Sequence, residues 1–191
     1  MTHHVLAFGD SLTAGYGLRS NESFAAQLQD LLCETSPGTV VHNAGLSGDT
    51  TGGGRTRLPR VLMRLTRKPD LALLELGAND LLRVVDPERM RENLDAMLEM
   101  FRDARIPVLL AGMVAPPFLG GFAMRYNAIF PELAAKYGVP LYPFFLDGVM
   151  GDPSLTLADR IHPNARAIGI IARRILPHVQ AALDEGARDA A

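Results

Sequence analysis

The chain contains no tryptophan, a single cysteine and no long apolar run, and neither sign of charge is in excess. Each absence removes a class of protein. With Cys33 alone there can be no internal disulfide and no cysteine-rich zinc site. Nineteen basic against twenty-one acidic side chains leave a net charge of -2, without same-sign runs. That balance argues against a binder of nucleic acid or of anionic membranes working through charge. The opening Met1-Thr2-His3-His4 and the apolar stretch ending at Phe8 are too short and too poor in basic residues for a signal peptide or a membrane span. The sequence therefore reads as soluble and cytoplasmic, or as periplasmic or secreted if a leader has been removed.

What is present is ample for one core. A domain holds roughly 100 to 200 residues, so 191 residues, 48% of them hydrophobic, make a single domain. A chain of this size removes about 70% of its extended surface from water on folding. Val5 to Gly9 reads as a buried strand closed by Asp10-Ser11, and Phe24, Leu28, Leu31 and Leu32 mark a helix stopped by Pro37-Gly38. A second strand, 39–44, runs into a small-residue loop, 45–54. A helix follows with Leu58, Val61, Leu62 and Leu65 on one face and Pro59 in its first turn.

The leucine-rich strand 70–76 implies cover on both faces, and Asp86-Pro87-Glu88 opens the next helix with a cap, a first-turn proline and an acidic residue. Strand 107–113, a loop with Pro117, Phe118 and Leu119, a helix from Phe122 to Tyr137 capped by Gly138, and a short strand 139–142 come next. A final helix carries Ile168, Ile171, Ile175 and Val179, and residues 184–191 are expected as a frayed tail. Five strands alternating with five helices predict a three-layer α/β/α sandwich around a flavodoxin-like, five-stranded parallel sheet.

Ligands bind such sheets beyond the carboxyl ends of the strands. There the sequence sets Asp10-Ser11, Asn43 to Gly48, Gly77-Ala78-Asn79-Asp80 and Asp159 to Pro163. Ser11 on its turn is a candidate nucleophile, needing a base and a group to orient that base. His162 and Asp159 supply such a pair. The Ser11 and Gly45 backbone N–H groups and the Asn79 side-chain amide are candidate oxyanion donors. This chemistry needs no metal and no organic cofactor. Leu12, Leu81, Leu82, Pro117, Phe118 and Leu119 are candidates for an acyl or aryl pocket, with surface decoration as the competing reading.

Gly9-Asp10-Ser11-Leu12, Gly45 within Asn43 to Gly48, Gly77-Ala78-Asn79-Asp80 and Asp159-Arg160-Ile161-His162-Pro163 together resemble the four blocks of the SGNH (GDSL-motif) hydrolases. Through Gly9 to Leu18 and Tyr137 to Phe145 the chain is most similar to the bacterial arylesterase, acyl-CoA thioesterase and lysophospholipase group. The resemblance implies the SGNH fold, Ser11 as nucleophile, His162 as base, Asp159 as its partner, and Ser11, Gly45 and Asn79 as oxyanion hole. The third block has Ala78 where some relatives have glycine, and the residue stays small.

The expected substrate is a small-molecule ester or thioester, with a carbohydrate acetyl ester as the alternative. Ser47 is the rival nucleophile, read as a loop hydroxyl. Gly52-Gly53-Gly54-Arg55 lacks the ending of a phosphate loop and is read as loop flexibility. A flavodoxin-like flavin-binding module is the non-enzymatic alternative. With no tryptophan and four tyrosines it has few rings to stack a flavin, and it leaves Asn79, Asp159 and His162 idle.

Overall fold

A computed structural model describes residues 2–189, with side chains described through residue 186. Five parallel strands form one sheet: β1 (His4–Gly9), β2 (Val40–Gly45), β3 (Leu71–Glu75), β4 (Val108–Ala111) and β5 (Leu141–Tyr142). Their spatial order is β2-β1-β3-β4-β5, so the chain first steps outward from β1 and then crosses back. Strand order reverses beside β1, and the crevice at such a switch point is where open sheets bind ligands.

The same reversal distributes the helices. Right-handed crossovers put α2 (Phe24–Thr35) on one face and α3 (Thr51–Arg64), α5 (Pro87–Asp103) and α6 (Gly121–Tyr137) on the other. The last helix, α7 (Ala165–Asp189), packs against α2, while α3, α5 and α6 touch in sequence. Between the layers Val5 to Phe8 and Leu71 to Leu74 have no exposed surface, which explains their unbroken apolar runs. Asp86 caps α5 by accepting the Glu88 N–H at 2.8 Å, and Met90, Leu94, Met97, Leu98 and Phe101 are buried as their spacing predicts.

Three expectations need correction. First, Pro59 lies inside α3 and not in its first turn, because the helix starts at Thr51 and takes in the glycines read as a flexible loop. Asp80 overrides the weak helix propensity of that run. Its carboxylate accepts the Thr51 N–H at 2.8 Å and the Thr51 hydroxyl at 2.6 Å, placing an acceptor at the helix N-terminus. Gly54 serves close packing, since a β-carbon there would stand 2.4 Å from Leu76 Cδ1.

Second, a short helix not expected from the sequence, α4 (Ala78–Leu82), follows β3, while α1 (Ser11–Ala14) places Ser11 in a first helical turn as expected. Each follows a strand end directly, and both are too brief to show a periodic face. Third, the chain beyond Asp184 continues as α7 to Asp189, while residues 190–191 lie outside the described residues. Near that end Gly186 sits against Pro107 and the Asp70 carbonyl, the segments that enter β4 and β3. No helix among the described residues is long and apolar enough to cross a membrane.

Candidate active site

Asp10 leaves β1 and caps α1, accepting the Leu12 N–H through Oδ1 at 2.9 Å. Its other oxygen accepts the Asn79 amide at 2.9 Å, so the ends of β1 and β3 are tied through one buried carboxylate. Burial pushes the Asp10 pKa up to about 6, against the pull of the Leu12 and Asn79 hydrogen bonds. Ser11 is the first residue of α1 and 9% exposed. Its N–H has no hydrogen-bond partner among the described residues.

The partner segment comes from the loop after β5. Asp159 Oδ1 accepts the backbone N–H of Ile161 at 2.9 Å and of His162 at 3.0 Å, folding the intervening residues into a tight turn with Arg160 at φ 58°. The Leu157 N–H closes this turn on the His162 carbonyl at 2.8 Å, and Asn164 accepts the Ala167 N–H at the start of α7. The imidazole is thereby aimed. His162 Nδ1 lies 2.7 Å from Asp159 Oδ2 and Nε2 lies 3.0 Å from Ser11 Oγ. The Ile161 N–H, and then His162, hold the Asp159 carboxyl down at about 2, so it is ionised wherever the imidazole can act. The Tyr16 ring tilts over the imidazole at 4.4 Å between centroids.

The structure thus brings together Ser11, His162, Asp159 and Asn79, from three separate segments, at the carboxyl edge of the sheet. A hydroxyl bonded to an imidazole whose far nitrogen meets a carboxylate can be deprotonated as it attacks an acyl carbon.

Gly45 does not fit the donor role. Its N–H is already engaged by Asn43 Oδ1 at 3.0 Å, and its lack of a side chain is needed elsewhere: a β-carbon would lie 2.2 Å from the Ala14 nitrogen. On the same loop Gly48, at φ 80°, has an N–H without a partner among the described residues. The available signal was its place between Ser47 and Asp49 at the tip of the loop, where a left-handed residue turns its N–H outward.

The expected pocket residues separate into two groups. Leu12 turns into the core at 6% exposure and lines no mouth, because α1 presents that position to the sheet, and Leu81 is half-buried against the same core. Leu82, Pro117, Phe118 and Leu119 are exposed on the segments after β3 and β4, Phe118 at 84%. Beneath the site lies a residue the sequence reading passed over, Glu75. It is fully buried at the end of β3, accepts the Thr13 hydroxyl at 2.8 Å and the Asp10 N–H at 3.3 Å, and leaves Oε1 without a partner.

The GDSL-like Lipase/Acylhydrolase family profile matches residues 7–167. An arylesterase of Vibrio mimicus is 39% identical over 85% of this chain and 81% of its own length. The thioesterase 1/protease 1/lysophospholipase L1 of Escherichia coli is 37% identical over 88% of this chain and 79% of its own. Among solved structures, the SGNH-hydrolase family esterase AlinE4 superposes with a TM-score of 0.80 at 43% identity, covering 96% of this chain and 97% of the other. With the fold, the four motif segments and the profile in agreement over most of its length, this chain belongs to the GDSL-like lipase/acylhydrolase family.

Proposed function

We propose that the protein is a single-domain serine hydrolase that cleaves carboxylic esters or thioesters of small molecules through an acyl-enzyme. Ser11 Oγ attacks the acyl carbon while His162 Nε2 takes its proton. The resulting oxyanion is met by the N–H groups of Ser11 and Gly48 and by the Asn79 amide hydrogen not engaged by Asp10. Collapse expels the alcohol or thiol, protonated by His162, and leaves the acyl group on Ser11. Water then attacks with His162 again as base, releasing the carboxylic acid and restoring the hydroxyl. Asp159 stays ionised throughout, fixing the tautomer and favouring the imidazolium.

The observation that carries this reading is the unbroken hydrogen-bonded series from Asp159 through His162 to Ser11, at 2.7 and 3.0 Å. The arylesterase and thioesterase relatives support the same substrate class. Leu82, Pro117, Phe118 and Leu119 are proposed to contact the acyl or aryl group, with short to medium chains preferred.

The test is intact-mass and peptide mass spectrometry after reaction with a fluorophosphonate. One adduct on Ser11, absent from Ser11→Ala, is expected; an adduct on Ser47, or undiminished labelling of Ser11→Ala, refutes the assignment. Rates on p-nitrophenyl esters, acyl-CoA and acetylated xylan then separate ester, thioester and carbohydrate acetyl esters.

A further inference from the structure

Arg57 lies in the middle of α3, outside the motif segments, yet its guanidinium joins the first of them to both sides of the second. Nη2 donates to the Gly9 carbonyl at 2.8 Å, Nη1 to the Ala44 carbonyl at 2.8 Å, and Nε to Asp49 Oδ2 at 2.6 Å. Its flat face rests on the Phe8 ring, with Cζ 3.9 Å from the centroid. The pair is largely withdrawn from water, with side-chain exposures of 19% for Arg57 and 6% for Asp49.

The positions of the acceptors matter more than their number. Gly9 is two residues before Ser11, Ala44 is the penultimate residue of β2, and Asp49 directly follows Gly48. The Gly9 carbonyl also accepts the Leu46 N–H at 3.0 Å, and the Asp49 N–H returns to the Leu46 carbonyl at 3.0 Å, so the loop carrying Gly48 is closed on both sides of the guanidinium. One rigid plane therefore sets the distance between the turn bearing Ser11 and the loop bearing Gly48. A lysine cannot replace it, because a single ammonium cannot serve three acceptors on different segments while lying flat on a ring. Asp49 balances the positive charge, so direct attraction to an oxyanion is a minor contribution.

We infer that Arg57 is a positioning residue that holds the Ser11 and Gly48 N–H groups at the spacing the tetrahedral intermediate requires. The inference rests on the proposed roles of Ser11 and Gly48. It extends them to a side chain that touches neither substrate nor reacting atoms. Displacement of a donor by a fraction of its hydrogen-bond length weakens the transition state far more than the ground state, so the loss should appear in kcat and not in KM.

Arg57 also lines a groove of about 400 Å3 with Ala44, Gly45, Leu46 and Val61, which makes the inference testable by chemical rescue. Truncation to alanine opens a cavity continuous with that groove, through which free guanidinium can enter. The experiment measures p-nitrophenyl ester hydrolysis by Arg57→Ala, Arg57→Lys and Ser11→Ala, each with low-millimolar guanidinium chloride or sodium chloride, together with Tm. For Arg57→Ala a kcat about 10- to 100-fold below the parent is expected, with KM little changed. Guanidinium, but not sodium, should restore part of kcat saturably without raising Tm. Arg57→Lys should also lose kcat, and it decides the matter if Arg57→Ala does not fold.

A parental kcat in either Arg57 variant, with Ser11→Ala inactive, overturns the positioning role while leaving the active-site assignment standing. A kcat that recovers only in step with Tm overturns it as well, by making Arg57 a general stabiliser. Retained activity in Ser11→Ala would instead refute the nucleophile, and this inference with it.

Discussion

Glu75 accepts the Thr13 hydroxyl at 2.8 Å, joining the end of β3 to the short helix that begins with Ser11. Among the described residues no cation pairs with this buried carboxyl, and burial, followed by the nearby Asp10 charge, pushes its pKa well above the ordinary value. Burial thus favours its protonated form, and the carboxyl serves as hydrogen-bond acceptor from the Thr13 hydroxyl and the Asp10 N–H. Glu75→Gln preserves shape and acceptor and should shift stability by less than about 1 kcal/mol. Glu75→Ala leaves a cavity and orphans two donors, and should cost roughly 2 to 4 kcal/mol. Urea unfolding at neutral pH checks both. Equal losses in the two variants would mean that the charge, and not the shape, is what matters.

Stability should pass through a maximum in mild acid. The Asp10 pKa is raised from 3.8 to about 6, so the folded state binds this proton more tightly than the unfolded state. Its contribution is complete below about pH 4 and is lost as pH rises through about 6, on the order of 3 kcal/mol in all. Asp159 acts oppositely. With its carboxyl lowered from 3.8 to about 2, its contribution is present above about pH 4 and is lost as pH falls through about 2. Urea midpoints should rise from pH 7 to about 5 and fall below about 4, and Asp10→Asn should flatten the upper limb. An unchanged upper limb in Asp10→Asn would assign it to other groups.

Asp159→Asn removes the acceptor that orients the imidazole while leaving Ser11 and the oxyanion donors in place. By analogy with other serine hydrolases the loss in kcat should reach about 100- to 10,000-fold, with KM nearly constant. Fluorophosphonate labelling of Ser11 should slow in proportion. Steady-state kinetics with labelling time courses on one preparation test this, and undiminished kcat would remove Asp159 from the chemistry.

Gly45→Ala and Gly48→Ala should fail in different ways. The first drives a β-carbon into the Ala14 backbone at 2.2 Å and should lower stability by about 1 to 3 kcal/mol. The second meets nothing closer than Arg83 Nη2 at 3.6 Å, but its φ of 80° strains any larger residue by about 1 kcal/mol or more and turns its N–H aside. The principal effect at Gly48 should therefore be on kcat. Thermal unfolding and kinetics of both variants distinguish the two roles. A Gly45→Ala enzyme that is stable but inactive would restore Gly45 to the oxyanion hole.

The strands were readable because burial on both faces writes itself as an apolar run, as in Leu71 to Leu74, and α5 because Asp86, Pro87 and Glu88 are local signals. Ser11, Asn79, Asp159 and His162 could be placed because strand ends converge on one edge whatever the details of the loops. The start of α3 could not, since Gly52 to Gly54 mask the local Thr50 cap and the carboxylate that reinforces it belongs to Asp80, on a different segment. Gly45 and Gly48 look alike in a string of letters, and only the Asn43 side chain and the backbone angle tell them apart. Glu75 and Arg57 escaped for the same physical reason: their partners are distant in sequence, and each reads alone as an ordinary charged residue.

The far end of α7, packed against Asp70 and Pro107, lies at the edge where strands begin, as does His4 at the start of β1. His4 and Gly186, near the two ends of the described residues, thus lie on the side away from Ser11. A tether or affinity handle joined at either end would leave the mouth unobstructed, so enzyme immobilised by its N- or C-terminus should turn over like the free form. Attachment through the loop bearing Phe118 should not be so benign.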